Sequence, residues 1–397
     1  MNSNVRTQSR RKRVLLLLGW YAPRTEEGIV RFAREAGWSL DLQTMRTGSF
    51  PEHEGLDGIL SILGGWGTRP EFTDFVRQSV GVPVVDMHAD EAATLPAGRV
   101  LADNLAVGRL AAEHFLERGF KHALFCCKNL SDWSVAEREL GFRSHLAENG
   151  VISSAFAYYH NDNTREFKAG DCVIQLTRHL ATAQYPLAVF AANDDFALLV
   201  LDACLQAGLK IPEEVALLGC DNDHLVVEFA NIPLSSVDPN FITRSYQAAQ
   251  LLDRLMAGET IPTEPIRIKP TGVFVRRSTD ILAVDDPHVA AALNVIRRRF
   301  AEVALGPLDV AEACGVNLRT LNRSILKHLG RSVAEDIRQV RLRHARNLLS
   351  TTGLNISEIA EQSGFSNLLH LRRSLKRDSG ISPRRWRATQ ANAQTVL

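Results

Sequence analysis

"VAEACGV", residues Val310–Val316, and "IAEQSGF", residues Ile359–Phe365, are two copies of one small device, with Gly315 and Gly364 lying 49 residues apart. In each copy a short helix carrying an Ala-Glu pair meets a glycine, which takes a turn that a β-carbon would obstruct. A second helix then opens at a good N-cap, Asn317 in the first copy and Ser366 in the second. These second helices read "LRTLNRSILKHLG" (318–330) and "NLLHLRRSLKRDSG" (367–380). Each is amphipathic, each is stopped by a glycine, and each turns arginine away from its buried leucines. This is helix-turn-helix grammar, written twice. Between the copies, "AEDIRQVRLRHARNLLS" from Ala334 predicts one helix of about 17 residues, hence about 25 Å at 1.5 Å per residue. A strut of that length holds two recognition helices near the roughly 34 Å that separates successive major grooves on one face of DNA.

Charge follows the repeat. The 397 residues carry a net charge of +1, but from Asp286 onward there are 18 Lys and Arg against 9 Asp and Glu, which leaves 28 against 36 for residues 1–285. A basic terminal unit attracts the DNA backbone, because neutralising phosphates releases condensed counterions. An Arg-rich solvated face has the same composition, so the charge gains its meaning from the repeat.

The tract from about Pro287 to Arg387 resembles the AraC-type DNA-binding domain, in "RTLNRSILKHLG", "RLRHARNLLSTTGLNISEIAEQSGF" and the closing "GISPRRWR". The resemblance implies that the first recognition helix reads bases with Arg319, Asn322 and Arg323, and the second with Leu369, His370 and Arg373, with Arg372 beside them. The chemistry agrees: arginine grips guanine O6 and N7, asparagine pairs with adenine, and leucine meets a thymine methyl. Where the family places aromatic residues in its second recognition helix, this chain has "HLRRSLKR".

The acidic 285 residues alternate strand-like and helical runs, "RVLLLLGW" then "EEGIVRFAREAGW", "GLDGILSILGG" then "EFTDFVRQSVG", and onward through "HALFCC", "PLAVFAAND" and "VALLGCDN". Short continuous Val/Ile/Leu runs joined by helices argue for parallel sheets covered on both faces, and the length argues for two lobes. Such sheets bind ligands beyond the carboxyl ends of their strands. The polar residues there are Trp20, Tyr21, Arg24, Trp133, Arg138, Asn193, Asp194 and Asp221, a set that suits a polyol: carboxylates, an amide and a guanidinium for hydroxyls, an aromatic face for C–H groups. Asp194 and Asp221 are equally placed to cap the following helices, the tryptophans fit a core as well, and Glu137 and Glu139 flank Arg138 either to orient or to neutralise it.

"RELGFRSHLAENG", "PLAVFAANDDFALLVLDACLQAGLKIPEEVALLGCDN", "IPLSSVDPN" and "RRST" resemble the LacI-type effector domain, a relative of periplasmic sugar-binding proteins. That resemblance implies effector contacts from Arg138, Asn193 and Asp221. A LacI-type regulator begins with its DNA reader, whereas here the reader follows the sensor, an order that resembles regulators of xylose operons. The chain is therefore expected to have a two-lobed α/β sensor over residues 1–280, a linker at 281–288 and an all-α tandem helix-turn-helix domain at 289–390. The expected partners are double-stranded operator DNA, a xylose-like sugar, RNA polymerase and a second copy of the chain, with activation rather than repression as the outcome. A different sugar or polyol, or repression, is the alternative.

Other classes fit less well. There is no GxSxG, HExxH or P-loop, and "ILGGWG" from Ile62 lacks the lysine of a phosphate cradle, so neither an enzyme nor a cofactor site is expected. The six cysteines, Cys126, Cys127, Cys172, Cys204, Cys220 and Cys314, show no metal-ligand spacing and suit a reduced cytoplasm; "FCCK" does not suit an alkyl-transfer centre. "VLLLLGWYA" from Val14 is far shorter than the roughly 18 to 20 residues of a membrane helix, although "RRKRVLLLL" mimics the head of a signal peptide. A secreted sugar-binding protein would have no use for a tandem basic reader.

Overall fold

The computed structural model describes residues 10–19, 22–64, 69–88, 95–159, 167–283 and 286–387. Its first lobe starts with the apolar strand β1 (Arg13–Leu17) and alternates α1 (Pro23–Ala36), β2 (Ser39–Asp41), α2 (Gln43–Thr47), β3 (Gly58–Ser61), α3 (Pro70–Gln78), β4 (Val84–Asp86) and β5 (Gly98–Ala102). The chain then crosses to a second lobe, α4 (Asn104–Leu116), β6 (His122–Asn129), α5 (Trp133–Glu148), β7 (Ile152–Tyr159), α6 (Ala169–Leu180), β8 (Leu187–Ala191), α7 (Asp194–Gln206), β9 (Val215–Cys220), α8 (His224–Phe229) and β10 (Ser235–Asp238). It crosses back through α9 (Phe241–Met256) and β11 (Ile266–Ile268), and a third time to β12 (Gly272–Phe274).

The sheets run β11-β5-β4-β3-β1-β2 and β12-β10-β9-β8-β6-β7, so each lobe repeats one doubly wound order. Every pairing is parallel except β10 with β12. The continuous apolar strands are explained by burial on both faces: one cluster around Ile29, Leu60 and Leu252 and another around Ile59, Phe72 and Phe75 sandwich the first sheet, and clusters around Leu176 and Val200 and around Phe115, Phe142 and Phe190 sandwich the second. Helices start where short acceptors cap them, as Asp103 does for α4 and Asp132 for α5.

The C-terminal unit is all helical: α10 (Pro287–Arg299), α11 (Pro307–Ala313), α12 (Leu318–Leu329), α13 (Val333–Thr351), α14 (Ile356–Gln362) and α15 (Leu368–Ser379). Its two turns carry Gly315 and Gly364 at φ +67° and +73°, and both recognition helices end on left-handed glycines, Gly330 and Gly380. The strut α13 has 19 residues, about 29 Å of helix. Asn317 caps α12 as expected, but α15 is capped by Asn367, whose Oδ1 accepts from His370 N at 2.9 Å. Ser366 instead lies one residue outside the helix with its hydroxyl near His370 Nδ1. Arg341 of α13 donates to the carbonyls of Phe300, Glu302 and Leu305, tying the strut to the end of α10. Within the 281–288 stretch expected to be a linker, Ile281 and Ala283 pack on the second lobe, Leu282 packs on the reader core, and α10 starts at Pro287 under an Asp286 cap.

Among the described residues, no helix is long and apolar enough to cross a membrane.

Candidate functional site

Polar residues of the two lobes meet between them, where Arg24 donates to the Asp221 carbonyl and Arg244 interacts electrostatically with Asp86 and Asp221. Arg138, on α5, is 6% exposed and fixed from three directions: Nε donates to Asn104 Oδ1 at 3.0 Å, Nη1 to the Ala192 carbonyl, and Nη2 lies 3.3 Å from Asp221 Oδ1. Neither neighbouring glutamate touches it. Glu137 pairs with Arg267 and Glu139 with Arg143. Asp221 follows β9 at φ +108° and Asn222 at φ +50°, left-handed conformations that cost non-glycine residues of order 1 to 3 kcal/mol each and cluster at binding sites. Burial pushes the Asp221 carboxyl up to about 6 despite the adjacent Arg138, and its Oδ1 is buried without a hydrogen-bond donor.

Three residues that sequence reasoning passed over complete this wall. Asp86 ends β4 at 2% exposure, with Oδ1 accepting from Ser61 Oγ and Leu63 N at 3.0 Å each. Burial raises its pKa to about 6, against the opposing pull of His88, these two hydrogen bonds and Arg99. Arg244, on α9, reaches the Met87 carbonyl and Thr25 Oγ1 and leaves Nε buried without an acceptor. Burial lowers its pKa to about 10, and it interacts electrostatically with both Asp221 and Asp86. His88 has both ring nitrogens buried without a hydrogen bond and stands edge-on to Trp133 at 5.9 Å. It also lies 3.8 Å from Asp132. Although burial opposes ionisation, His88, Ser134 and the Val135 amide hold the Asp132 carboxyl well below the usual range. Asp86 was visible in "VPVVDMHA" as a carboxylate closing an apolar run; Arg244 had no such mark, because α9 joins the site only through the second crossing.

The other expected cleft residues divide. Trp133 opens α5, half-buried, with the Arg267 guanidinium 5.5 Å from its ring centre. Asn193 caps α7 through Oδ1 to Phe196 N, and its Nδ2 has no partner among the described residues. Asp194 has a framework role: Oδ1 accepts from Ser236 Oγ at 2.7 Å and Oδ2 from Asp223 N at 2.9 Å, holding β10 and the turn after β9. Arg24 is likewise committed, to the Asp221 carbonyl and to Asp238, and ties the first lobe across to the second. Trp20 and Tyr21 lie outside the described residues.

In the helical unit, Arg319 and Arg323 are exposed one turn apart on α12. Asn322 between them is half-buried, and its Oδ1 accepts from Val333 N at 3.0 Å, fastening α12 to α13. On α15, Leu369 (53% exposed), His370, Arg372 and Arg373 all face outward over the buried Leu371 and Leu375. Leu371 and Leu375 of α15 pack with Phe365 and the leucines of α13, at the helix where the resembled family has aromatic residues. Arg372 also lines a depression with Arg384 and Arg387 beside the start of α14. Part of the basic charge is internal, since Arg331 pairs with Asp336 and Arg338 with Glu335 and Asp378. The exposed arginines of α12 and α15 carry no such pairing among the described residues.

Comparison with known proteins agrees with both halves. Residues 112–279 match a periplasmic binding protein-like domain family, and residues 310–389 a helix-turn-helix domain family. The chain is 28% identical over 356 residues to the xylose operon regulatory protein of Escherichia coli strain K12, covering 86% of this chain and 88% of that protein. It is 30% identical over 254 residues to the HTH-type transcriptional regulator CelR of Thermobifida fusca, covering 62% and 72%. A solved structure of a xylose-binding transcription activator, xylR, superposes with a TM-score of 0.58 at 25% identity, over 96% of this chain and 99% of the other.

Proposed function

This chain belongs to the family of the xylose operon regulatory proteins, sugar-responsive transcription regulators that join a periplasmic-binding-protein-like sensor to a helix-turn-helix reader, and on that premise we propose that it activates a pentose catabolic operon when xylose or a close relative fills its cleft. The observation that carries the sugar assignment is a set of buried polar atoms that make no hydrogen bond: Asp221 Oδ1, which only faces Arg138 Nη2 at 3.3 Å, His88 Nδ1 and Nε2, the latter 3.8 Å from Asp132, and Arg244 Nε. Leaving a buried polar atom without a hydrogen bond is unfavourable, so four of them around one cleft call for a ligand dense in hydroxyls. Hydroxyls donate to Asp221 and Asp86, accept from Arg138, Arg244 and Asn193, and do either with His88; Trp133 covers a C–H face.

In the reader, Arg319 and Arg323 take base edges in one major groove and Leu369, His370 and Arg373 in the next, with Arg372 on phosphate. The strut length supports this spacing, and Arg341 holds it. A homodimer gains affinity by linking two such readers, and the surface that contacts RNA polymerase follows from the activator role of the relatives. No catalytic role is assigned to the cleft, and action on DNA puts the protein in the cytoplasm.

The test is a thermal-shift panel of pentoses, hexoses and polyols on wild-type protein and on Arg138→Ala. A pentose raises the wild-type melting point, because a ligand stabilises the state it binds, and the variant loses that rise. A shift with hexoses alone replaces the xylose assignment. A shift that survives in Arg138→Ala removes Arg138 from the site.

A further inference from the structure

Helix α4 spans the second lobe from the cleft to the reader. At its first residue, Asn104 accepts from the effector-wall residue Arg138. Thirteen residues later, about 20 Å away, its last turn and the two residues beyond it meet residues 279–283 and the helical unit. There His114 Nε2 lies 2.9 Å from Thr279 Oγ1, Arg118 donates to the Thr279 carbonyl at 3.0 Å, and the Arg118 carbonyl accepts from Ala283 N at 2.8 Å. His114 and Arg118 are only 4% and 5% exposed, so this is a packed seat rather than a surface brush. Glu117 then reaches the reader directly, pairing with Arg343 of the strut α13 at 2.5 Å, while Asp280 pairs with Arg297 of α10.

The helix is also stiffly coupled to α5, which carries Arg138. A β-carbon on Gly108 would lie 2.1 Å from the Arg138 carbonyl oxygen, and one on Gly141 would lie 2.2 Å from that of Leu105. Such close backbone contact resists sliding of one helix past the other, which favours their moving together. With α13 held in this way, the arginines of α12 and α15 are exposed.

We propose that the C-terminal end of α4 is the seat through which the sensor sets the position of the reader, with Glu117 and Arg343 as positioning residues and sugar acting at the other end of the same helix. This rests on the reading of the protein as a sugar-gated DNA binder. Neither residue touches sugar, and the prediction is therefore about coupling rather than affinity for sugar.

The experiment measures affinity of the full-length chain for its own promoter DNA with and without saturating D-xylose, in wild type, Glu117→Arg, Arg343→Glu and the double reversal. The wild type gains a factor within the roughly 5- to 150-fold range of allosteric coupling. Each single reversal cuts that gain about fivefold or more while keeping the thermal shift with xylose, and the double reversal restores it. Single variants that keep the full gain overturn the seat. So does an Arg343→Glu variant that weakens DNA binding equally with and without sugar and is not rescued by Glu117→Arg, since Arg343 would then be a phosphate contact. A wild type with no sugar-dependent gain refutes instead the sugar-gated reading beneath it. Should a reversal fail to fold, Glu117→Gln and Arg343→Gln are read by the same criterion.

Discussion

Replacing Asp86 by asparagine removes a charge that the ligand-free cleft holds at a cost. Burial lifts this carboxyl from 3.8 to about 6. At 1.36 kcal/mol per unit, that is a destabilisation of about 3 kcal/mol once the group is ionised. Because the folded-state value lies above the unfolded one, the stability is fully present below pH 4, is lost as pH rises through about 6, and is gone at pH 7. Asparagine keeps an oxygen for Ser61 Oγ and Leu63 N, the two partners of Oδ1. Asp86→Asn is therefore more stable than wild type at pH 7 by about 1 to 3 kcal/mol, equivalent to a melting point higher by on the order of 5 °C, and equal to it near pH 4. Urea unfolding of both proteins from pH 4.5 to 7.5 measures the difference, and the same variant gives a diminished thermal shift with sugar. A variant less stable than wild type at pH 7, or a difference that ignores pH, refutes the reasoning and means the Asp86 charge is fully compensated by the protein.

Two further substitutions probe the reader. Arg323→Ala weakens specific DNA binding by about 1 to 3 kcal/mol in a mobility-shift titration and leaves sugar binding unchanged; equal loss on random DNA makes it a phosphate contact. Gly315→Ala and Gly364→Ala both force a side chain to positive φ, costing about 1 to 2 kcal/mol, but Gly315 faces open space whereas a β-carbon at Gly364 would lie 2.1 Å from the Phe300 carbonyl oxygen. Thermal unfolding shows the Gly364 variant as clearly the more damaged of the two, and comparable losses would mean the second turn yields.

The repeated helix-turn-helix, the two lobes and the order of sensor and reader were legible because they rest on local periodicity and turn chemistry. Asp221 was legible as a carboxylate closing an apolar strand, and Arg138 through the "RELGF" stretch that resembles the LacI-type effector domain. What escaped was set by partners distant in the chain. Asn322 looks like a base reader from its helix position, and its Oδ1 also fastens Val333 of the next helix. Asp194 looks like a ligand group, and it also accepts from Ser236, 42 residues on. Arg244 joins the cleft only because the chain crosses back to the first lobe through α9, and no local pattern announces that. Residues 281–283 carry the alternation Ile, Leu, Ala, and two cores take its opposite faces. Asn367 displaced Ser366 as cap by a single residue, the scale on which helix starts are least determined by sequence.

The central claim is that sugar and operator DNA bind one molecule and favour the same state. Linkage then requires that each raise the affinity for the other by the same factor. Calorimetric titration of D-xylose into the full-length chain, alone and saturated with promoter DNA, tests this most directly. The account predicts tighter sugar binding on DNA, by a factor matching the gain in DNA affinity caused by sugar, on the order of 5- to 150-fold. Identical sugar affinities in the two titrations would contradict it.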